Sequence, residues 1–287
     1  MKNKVILILL LFPSLIFSQH RNRLEFNDLH RFNLKGKVKT LKYFEYNVTY
    51  KNDSITQVKL EDFIVPKNYK IDFNKVGNIQ RKIEYRLKND SIIEKGLWIY
   101  IYEKDKIKKE TYYWNNDSKD TTQWNYSYPD KNTTIITQES TMSPKLMYYR
   151  YEQDKNNEYY KSINADSSYI RKSLYVYDKH NRIIRIEKYD DQKYTRDIIF
   201  NTYADSINFN PKVTGSSYTK YDAPLFIQQF KFNNQYDIIE IDGLDVSDNK
   251  KTVVEYKYDD RKNWIEKTKK GGTGKIYKIY KREISYY

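Results

Sequence analysis

The sequence predicts an all-β fold: an antiparallel meander of about eight to nine β-hairpin repeats that forms a wide, twisted or curled sheet. An aromatic residue recurs about every 26 residues, and self-similarity at a fixed period is typical of repeat architectures. Aromatic residues make up 16% of the chain, with 31 tyrosines, and tyrosine suits a pleated, half-buried surface. Short runs of turn-forming residues follow the aromatic positions, as expected where two strands meet in a hairpin.

Eight aromatic positions, which we call the repeat anchors, define the period. The gap between successive anchors stays close to one period and is shortest between the third and the fourth anchor. The anchors are Phe73, Tyr102, Tyr128, Tyr151, Tyr177, Tyr203, Phe232 and Tyr258. About 26 residues at ~3.3 Å each supply two strands of roughly ten residues and two turns. Because an isolated hairpin is marginally stable in water, we expect neighbouring hairpins to pair edge to edge and bury their aromatic rows.

The clearest copy of the repeat spans residues 175–189. Tyr175 and Tyr177 are two positions apart, so they lie on one face of a strand. Residues 178–181 read as a turn, because Asp hydrogen-bonds its own backbone two residues on and Asn tolerates a positive φ. Residues 183–189 then alternate in character along a returning strand, which completes a predicted β-hairpin.

The N-terminal segment 1–18 has the layout of a secretory signal peptide. Lys2 and Lys4 give a positive start, residues 5–17 are mostly apolar, and Ser18 is a small residue suited to cleavage. The alternative is a membrane anchor, but this apolar stretch is broken by Pro13 and is too short to span ~30 Å of hydrocarbon. We therefore expect export, with no transmembrane span after signal cleavage.

The domain organisation follows from these two patterns. We predict a signal peptide at 1–18, a lead-in segment at 19–34 and a repeat domain at 35–287. The chain contains no cysteine, so it forms no disulfide and carries no lipid at the cleavage site. We expect a periplasmic or secreted protein that associates with the cell envelope.

Short motifs connect the repeat to known families. The frame Tyr-x-Tyr-Asp-x-x-Gly-Asn/Arg-Leu in segments 71–79, 175–183 and 256–264 resembles the YD repeats of RHS-type proteins. Residues 96–110, with a second copy at 124–130, resemble bacterial MORN-type repeats. Both families are built from β-hairpin repeats, so the resemblance implies this fold and a location at the envelope or outside the cell. The chain is too short for the closed shell of large RHS proteins, so the resemblance implies no encapsulation.

The formal net charge is +14, and the basic excess is concentrated near the C-terminus. From residue 250 to the end there are twelve Lys or Arg and five Asp or Glu. A basic end attracts polyanions. The candidate polyanion-binding residues are Lys269, Lys270, Lys275, Lys278, Lys281 and Arg282. The alternative is that these lysines solubilise the sheet and protect its edges.

The sequence offers no catalytic constellation. The acidic pairs Asp190–Asp191 and Asp259–Asp260 could suggest a glycosidase, but turn acids are common and adjacent strand residues point to opposite faces. The glycine-rich run 271–275 reads as a flexible hairpin tip, and His180 as a solvated turn residue. We therefore predict no catalytic residues, no cofactor and no metal site.

These observations favour a non-enzymatic exported protein that acts as a binding or scaffolding surface at the cell envelope. An electrostatic binder of acidic glycans or lipid headgroups and a sugar-cleaving enzyme remain as alternatives. We expect the partner to be a protein or an envelope glycan or lipid, and we expect no nucleic acid. Aromatic rows are first needed for burial, so only rings left accessible on a concave face would count as a site.

Overall fold

The computed structural model describes the ranges 28–51, 54–60, 68–88, 91–104, 106–115, 117, 119–141, 147–154, 157–164, 169–178, 183–190, 194–202, 213–218, 226–235, 237–245 and 248–287. The predicted signal peptide and the first part of the lead-in segment lie outside these residues. The described chain is almost entirely β-strand, which confirms the predicted fold class. Within it, no helix is long and apolar enough to cross a membrane.

One short helix precedes the strands, and all strands belong to one 19-stranded sheet of described residues. The helix, α1, is Asp28–Arg31. The strands are β1 Val38–Lys51, β2 Ser54–Leu60, β3 Asn68–Phe73, β4 Ile79–Lys88, β5 Ser91–Glu103, β6 Lys106–Trp114, β7 Thr121–Ser127, β8 Thr133–Ser140, β9 Met147–Asp154, β10 Asn157–Asn164, β11 Tyr169–Tyr177, β12 Ile183–Asp190, β13 Tyr194–Thr202, β14 Val213–Tyr218, β15 Phe226–Phe232, β16 Ile238–Asp245, β17 Asp248–Tyr258, β18 Trp264–Lys270 and β19 Ile276–Tyr286.

The sheet is a meander whose two ends meet at β1. From β3 to β19, each strand pairs antiparallel with the next strand in sequence. One edge of β1 pairs with β19, from Val38 opposite Tyr286 to Asn47 opposite Lys278. The other edge of β1 pairs with β3 and β2. The first and last strands of the chain therefore lie side by side.

Five repeat anchors occupy the same place in their hairpins. Each anchor lies opposite the first or second residue of the following strand, next to a one-residue shift in the strand register. These anchors are Phe73, Tyr102, Tyr177, Phe232 and Tyr258. A shift of this kind leaves one residue unpaired and increases the local twist of the hairpin. The recurrence of the shift at these anchors confirms that the period corresponds to a β-hairpin.

The turn after an anchor is closed by the side chain of the next residue. Asn74 Oδ1 accepts hydrogen bonds from the backbone N–H groups of Val76 and Asn78, at 3.1 and 2.9 Å. Asp259 Oδ1 does the same for residues 261 and 263, at 3.0 and 2.8 Å. Asn233 Oδ1 accepts equivalent bonds from residues 235 and 237. Asp and Asn favour such turns because their short side chains reach the backbone two residues on.

The remaining anchors depart from this frame or fall outside the described residues. Tyr128 lies one residue beyond the end of β7, and Tyr151 lies inside β9. The strands β9 and β10 pair out to Asp154 opposite Asn157, beyond Tyr151, so this hairpin is longer than the others at its tip. Tyr203 lies outside the described residues. The short gap between Tyr128 and Tyr151 marks this irregular part of the meander in the sequence.

A buried hydrophobic cluster lies where α1 packs against the beginning of the sheet. Leu29 of α1 joins Leu41 of β1 and Ile71 and Phe73 of β3 in this cluster. Leu41 lies directly opposite Ile71, so both side chains project from the same face of the sheet. We call this the helix-side face and the other the opposite face. Burial of each such side chain contributes about 1.5–3 kcal/mol to folding.

Polar contacts fasten the lead-in segment across both ends of the meander. Asp28 Oδ2 accepts a hydrogen bond from the backbone N–H of Ile79, at 2.7 Å. Asn263 is fully buried and bonds both backbone groups of Lys35, through Oδ1 at 2.7 Å and Nδ2 at 2.9 Å. Its Nδ2 also donates to the hydroxyl of Tyr286 at 2.7 Å. The lead-in segment therefore connects β4 with the β17–β18 turn and β19.

The opposite face carries ion pairs between neighbouring strands. Lys42 of β1 pairs with Glu283 of β19 at 2.7 Å, and both side chains are well exposed. Lys257 of β17 pairs with Glu266 of β18 at 2.6 Å. Exposed pairs of this kind contribute only ~0–1 kcal/mol each. On this face, these lysines are therefore paired with glutamates of the neighbouring strand.

We expect Asn263→Ala to lower the free energy of unfolding by about 2 kcal/mol or more, because it removes a fully buried side chain and its bonds to both backbone groups of Lys35. Urea denaturation followed by tryptophan fluorescence measures the change. Asn78 holds the same place in the first repeat, where Asn74 closes the turn, so Asn78→Ala is the matched control. The control should cost no more than about 1 kcal/mol. Equal losses in the two variants would contradict the assigned role of Asn263.

Candidate functional site

A row of aromatic rings crosses the helix-side face from β7 to β19. Residues directly opposite in neighbouring antiparallel strands share a face. Lys82 lies opposite both Ile71 and Trp98, which places Trp98 on the helix-side face. Tyr43 lies opposite both Tyr69 and Arg282, which extends this face across β1 to β19. We call the row the aromatic band; its members are Trp124, Trp98, Tyr69, Tyr43, Trp264 and Tyr280.

Ring-to-ring contacts join neighbouring members of the aromatic band. The rings of Trp98 and Trp124 stack with centroids 5.1 Å apart, and those of Tyr43 and Tyr69 stack at 5.0 Å. Tyr43 also meets Trp264 edge to face, at 6.2 Å. Such pairs contribute about 0.5–1.5 kcal/mol beyond their burial. Trp98 and Trp124 are one repeat period apart in the sequence, and this period thus corresponds to a direct contact across neighbouring hairpins.

The aromatic band is only partly covered. Trp264 and Tyr280 are buried, whereas Tyr43, Tyr69, Trp98 and Trp124 are half-buried and keep part of their ring surface accessible to water. The half-buried rings are therefore the part of the band that a ligand can contact.

Glu84 organises the charged groups beside the tryptophans. Its carboxylate accepts hydrogen bonds from Lys82 Nζ at 2.7 Å, Trp98 Nε1 at 3.1 Å and the Tyr112 hydroxyl at 3.3 Å. Burial and the Glu84 charge raise the pKa of Tyr112 well above its usual value, so this hydroxyl stays protonated and donates. Lys82 Nζ also lies 5.4 Å from the ring centroid of Tyr69. Lys82 and Glu84 therefore connect the tryptophan part of the band with its tyrosine part.

The Tyr112 ring requires a glycine beneath it. Gly96 lies opposite Glu84 in the neighbouring strand. A Cβ at this position would lie 2.1 Å from the Tyr112 hydroxyl oxygen. Glycine is needed here because the tyrosine lies directly over the backbone, where any larger side chain would displace the ring.

Glu45 is the second buried carboxylate of this face, two positions from Tyr43 on β1. It is buried on β1 and is ion-paired with Lys278 of β19. Its backbone N–H donates to Asn68 Oδ1 at 2.8 Å. A buried carboxylate without a cation would be strongly destabilising, so the pair holds the two edges of the meander in register.

Arg282 lies between the aromatic band and the lead-in segment. Its guanidinium carbon is 3.6 Å from the ring centroid of Trp264, and its Nη2 donates to the carbonyl oxygen of Phe32 at 3.1 Å. The Nε and Nη1 atoms are buried and have no hydrogen-bond acceptor among the described residues. Burial lowers the pKa of Arg282 and is the largest influence on it.

Lys267 is the second basic residue against the same indole ring. Its Nζ is 5.0 Å from the centroid of Trp264 and 4.1 Å from that of Tyr280. Lys267 lies opposite Tyr280 on β19 and Tyr256 on β17, and it is half-buried. Burial, with repulsion from nearby cations, lowers the pKa of Lys267 to about 7.

The structure divides the six predicted polyanion-binding residues between the two faces. Lys269, Lys278 and Arg282 lie on the helix-side face, since Lys269 lies opposite Lys278 and Arg282 is two positions from Tyr280 on the same strand. Lys281 is exposed on the opposite face, where it lies near the ring of a tyrosine on β1. The six residues do not form one patch, because strand neighbours such as Lys281 and Arg282 point in opposite directions.

The two other predicted residues lie away from the aromatic band. Lys270 pairs with Glu255 on the opposite face. Lys275 lies in the turn between β18 and β19, with its Nζ 5.6 Å from the ring centroid of Tyr50. This turn is the glycine-rich run 271–275, in which Gly274 has a φ of 76°, as expected for a hairpin tip.

Sequence reasoning missed the residues that surround Arg282. Lys267 stands in a lysine-rich strand where nothing marks it as different from Lys269 or Lys270. Strand alternation would have separated Arg282 from Lys281. It would not have placed Trp264 beside these cations, because a register shift at the end of β17 puts Trp264 opposite Tyr258. The residues of β1 that complete the site are distant in the sequence and are brought in only by the pairing of β1 with β19.

The described contacts of Asp259 are those of a turn residue. Asp259 closes its turn and also accepts a hydrogen bond from the Tyr286 hydroxyl. Asp190 ends β12, whereas Asp191 and His180 lie outside the described residues. Among described residues, no group of three or more His, Cys, Asp or Glu side chains is placed to hold a metal ion.

Comparison with solved structures finds a porin-like protein from Bacteroides uniformis ATCC 8492. The two sequences are 11% identical, the match covers 86% of this chain and 96% of that chain, and the TM-score is 0.47. No family model and no curated protein matches the sequence.

We expect the pKa of Lys267 to make folding stability rise with pH. The folded protein releases this proton near pH 7, whereas the unfolded chain holds it until about pH 10.4. Between these values the unfolded state binds more protons, so the free energy of unfolding increases with pH, by up to about 1.4 kcal/mol per unit. Lys269, Arg282, Glu45 and Asp237 are the charged neighbours that set this shift.

Lys267→Met should remove this contribution, and Lys281→Met on the opposite face should retain it. Urea denaturation of the three proteins between about pH 7 and pH 8.5 measures the difference. Restricting the range in this way keeps the tyrosines protonated. Parallel stability profiles for the wild type and Lys267→Met would show that Lys267 does not titrate as its surroundings indicate.

Proposed function

We propose that this protein is a non-enzymatic, exported binding surface at the cell envelope, and that its helix-side face is the part that binds. The observation that carries this proposal is the half-buried aromatic band, which extends across neighbouring hairpins with charged groups beside its rings. Flat rings with accessible faces next to fixed hydrogen-bonding groups suit the apolar and polar sides of a sugar ring. An envelope glycan is therefore the partner that this surface fits best.

The two buried carboxylates of this face support binding rather than hydrolysis. Glu45 is engaged by Lys278, and Glu84 by Lys82. The two carboxyl groups of a glycosidase must reach the scissile bond, whereas each of these carboxylates is held by a lysine. The sugar-cleaving alternative would require one of these carboxylates to act despite its cation.

The proposed location rests on the sequence. The signal-peptide layout of residues 1–18 supports export, and without a cysteine the chain has no attachment point for a lipid at the cleavage site. The resemblance to YD-repeat proteins supports a role at the envelope or outside the cell. A scaffolding role, in which the surface holds a partner protein, belongs to the same proposal and uses the same face.

A second candidate function is electrostatic binding of acidic glycans or lipid headgroups. The observation that favours it is the basic cluster at β18 and β19, where Arg282 has donors without an acceptor among the described residues. Binding of this kind weakens steeply as salt is raised, whereas stacking on the aromatic band responds little to salt. Salt dependence therefore separates the two modes.

We expect Trp124→Ala to weaken binding of envelope polysaccharide fractions by about tenfold or more, because it removes a half-buried ring from the band. Biolayer interferometry with the immobilised full-length mature protein measures the affinity. Tyr46 is a half-buried aromatic residue of β1 whose side chain lies on the opposite face. Tyr46→Ala is therefore the matched control and should bind as the wild type does. Equal losses in both variants would assign binding to another surface.

The same samples test the enzymatic alternative. Release of reducing ends from these polysaccharides by the wild type, lost in Glu84→Gln, would overturn the non-enzymatic proposal. We expect the polysaccharides to keep their length during the assay.

A further inference from the structure

The geometry points to an oxyanion site between Lys267 and Arg282, built to take the carboxylate or phosphate group of an acidic glycan. This inference rests on the proposed binding function of the helix-side face, and it names the class of ligand. Neither Lys267 nor Trp264 belongs to the basic cluster that the sequence indicates. The site therefore depends on how β17, β18, β19 and β1 are assembled.

Two cations share one indole ring without a carboxylate of their own. Arg282 Cζ and Lys267 Nζ lie 3.6 and 5.0 Å from the ring centroid of Trp264. Neither side chain forms an ion pair with a described acidic residue, in contrast to Lys278, which pairs with Glu45. Like charges brought together away from water repel each other, so the pair is unfavourable until an anion joins it.

The nearby acidic groups are already occupied. Glu45 is held by Lys278. Asp237 accepts hydrogen bonds from Asn33 Nδ2 at 3.0 Å and from the Tyr258 hydroxyl at 2.9 Å. The negative charges of Glu45 and Asp237 reduce the positive potential at Lys267, but neither carboxylate forms an ion pair with it. The positive charge of the cluster is thus available to a ligand.

Arg282 has donor groups in excess of its acceptors. A guanidinium carries five N–H donors, and the described contacts use only the bond from Nη2 to the carbonyl oxygen of Phe32. The buried Nε and Nη1 atoms lack an acceptor among the described residues. Most buried donors in folded proteins are satisfied, so these two mark a place where a small shift of the side chain completes a bond to a bound oxygen.

Lys267 is the group that a ligand reaches first. Its side chain is half-buried, and its ammonium lies against Tyr280 and Trp264 rather than against a carboxylate. The low pKa of Lys267 has the same physical origin, since burial and neighbouring cations disfavour its charged form. A bound oxyanion would favour the charged form and raise this pKa.

The rings beside the two cations narrow the ligand class. Tyr43, Tyr256, Trp264 and Tyr280 lie on the same face around Lys267 and Arg282. An inorganic anion would use only the charges. A uronic acid or a phosphorylated sugar places its oxyanion on the cations and its ring on the aromatic band. The acidic glycan is therefore the occupant that uses both features.

The test is thermal unfolding of the mature protein as chloride is replaced by inorganic phosphate at constant ionic strength. We expect the Tm of the wild type to rise by about 3 °C or more at about 20 mM phosphate. Lys267→Met should lose this rise, and Lys281→Met should keep it. Lys267→Met is expected to fold, because it removes an amine that has no carboxylate partner among the described residues. Lys267→Gln serves as a second variant of similar size.

Calorimetric titration then tests the glycan. We expect a hexamer of galacturonic acid to bind, with at least about tenfold loss of affinity in Lys267→Met, and maltohexaose to bind equally to both proteins. No phosphate response in the wild type, or an equal response in Lys267→Met, would overturn the oxyanion site. Binding of phosphatidylglycerol vesicles without binding of the hexamer would overturn the assignment to a glycan.

The two proposals fail separately. If Trp124→Ala abolishes polysaccharide binding while phosphate has no effect on the wild type, the binding face stands and the oxyanion site is wrong. If phosphate stabilises the wild type through Lys267 but Trp124→Ala binds polysaccharides normally, the oxyanion site stands and the aromatic band is not the binding surface.

Discussion

Backbone pairing between β1 and β19 determines which side chains meet where the two ends of the meander join. It places Glu45 beside Lys278, which is 233 positions away, and Tyr43 beside Arg282. Loop-closure entropy grows only slowly with separation, so a contact of this length is feasible once the intervening hairpins are formed. The lead-in segment then packs across the joined ends and buries Leu29 against β1 and β3. Without this pairing, the basic cluster would lie at an exposed edge.

The regular hairpins of the repeat are stabilised by the same kinds of contact. In the regular hairpins an aromatic anchor lies beside a register shift, and an Asn or Asp side chain closes the turn that follows. Each unit buries its rings only by pairing with its neighbours. The turn depends on the residue after the anchor and not on the residues along the strand. The side chains on the two faces of the sheet can therefore differ from one repeat to the next.

The two faces of the sheet use charge differently. On the opposite face, lysines and glutamates form exposed pairs between strands, such as Lys42 with Glu283. On the helix-side face, Glu45 and Glu84 are buried with one cation each, whereas Lys267 and Arg282 have no described carboxylate partner. Pairs on an exposed surface contribute little, but a pair of unmatched cations among aromatic rings is a strong local constraint. The difference is what turns one face into a candidate binding surface.

The sequence by itself determined the class of fold, the hairpin period and the chemistry of the turns. Those features are local: Asn74 and Asp259 act within their own turns, and Trp98 and Trp124 meet because one period separates them. The tertiary structure alone decided which lysines share a face with the aromatic band. Side chains alternate with a period of two, so one register shift changes the face on which a later residue lies. Trp264 joins this face through such a shift, Lys267 lies opposite Tyr280 in regular register with β19, and β1 joins them through a strand pairing that no local pattern encodes.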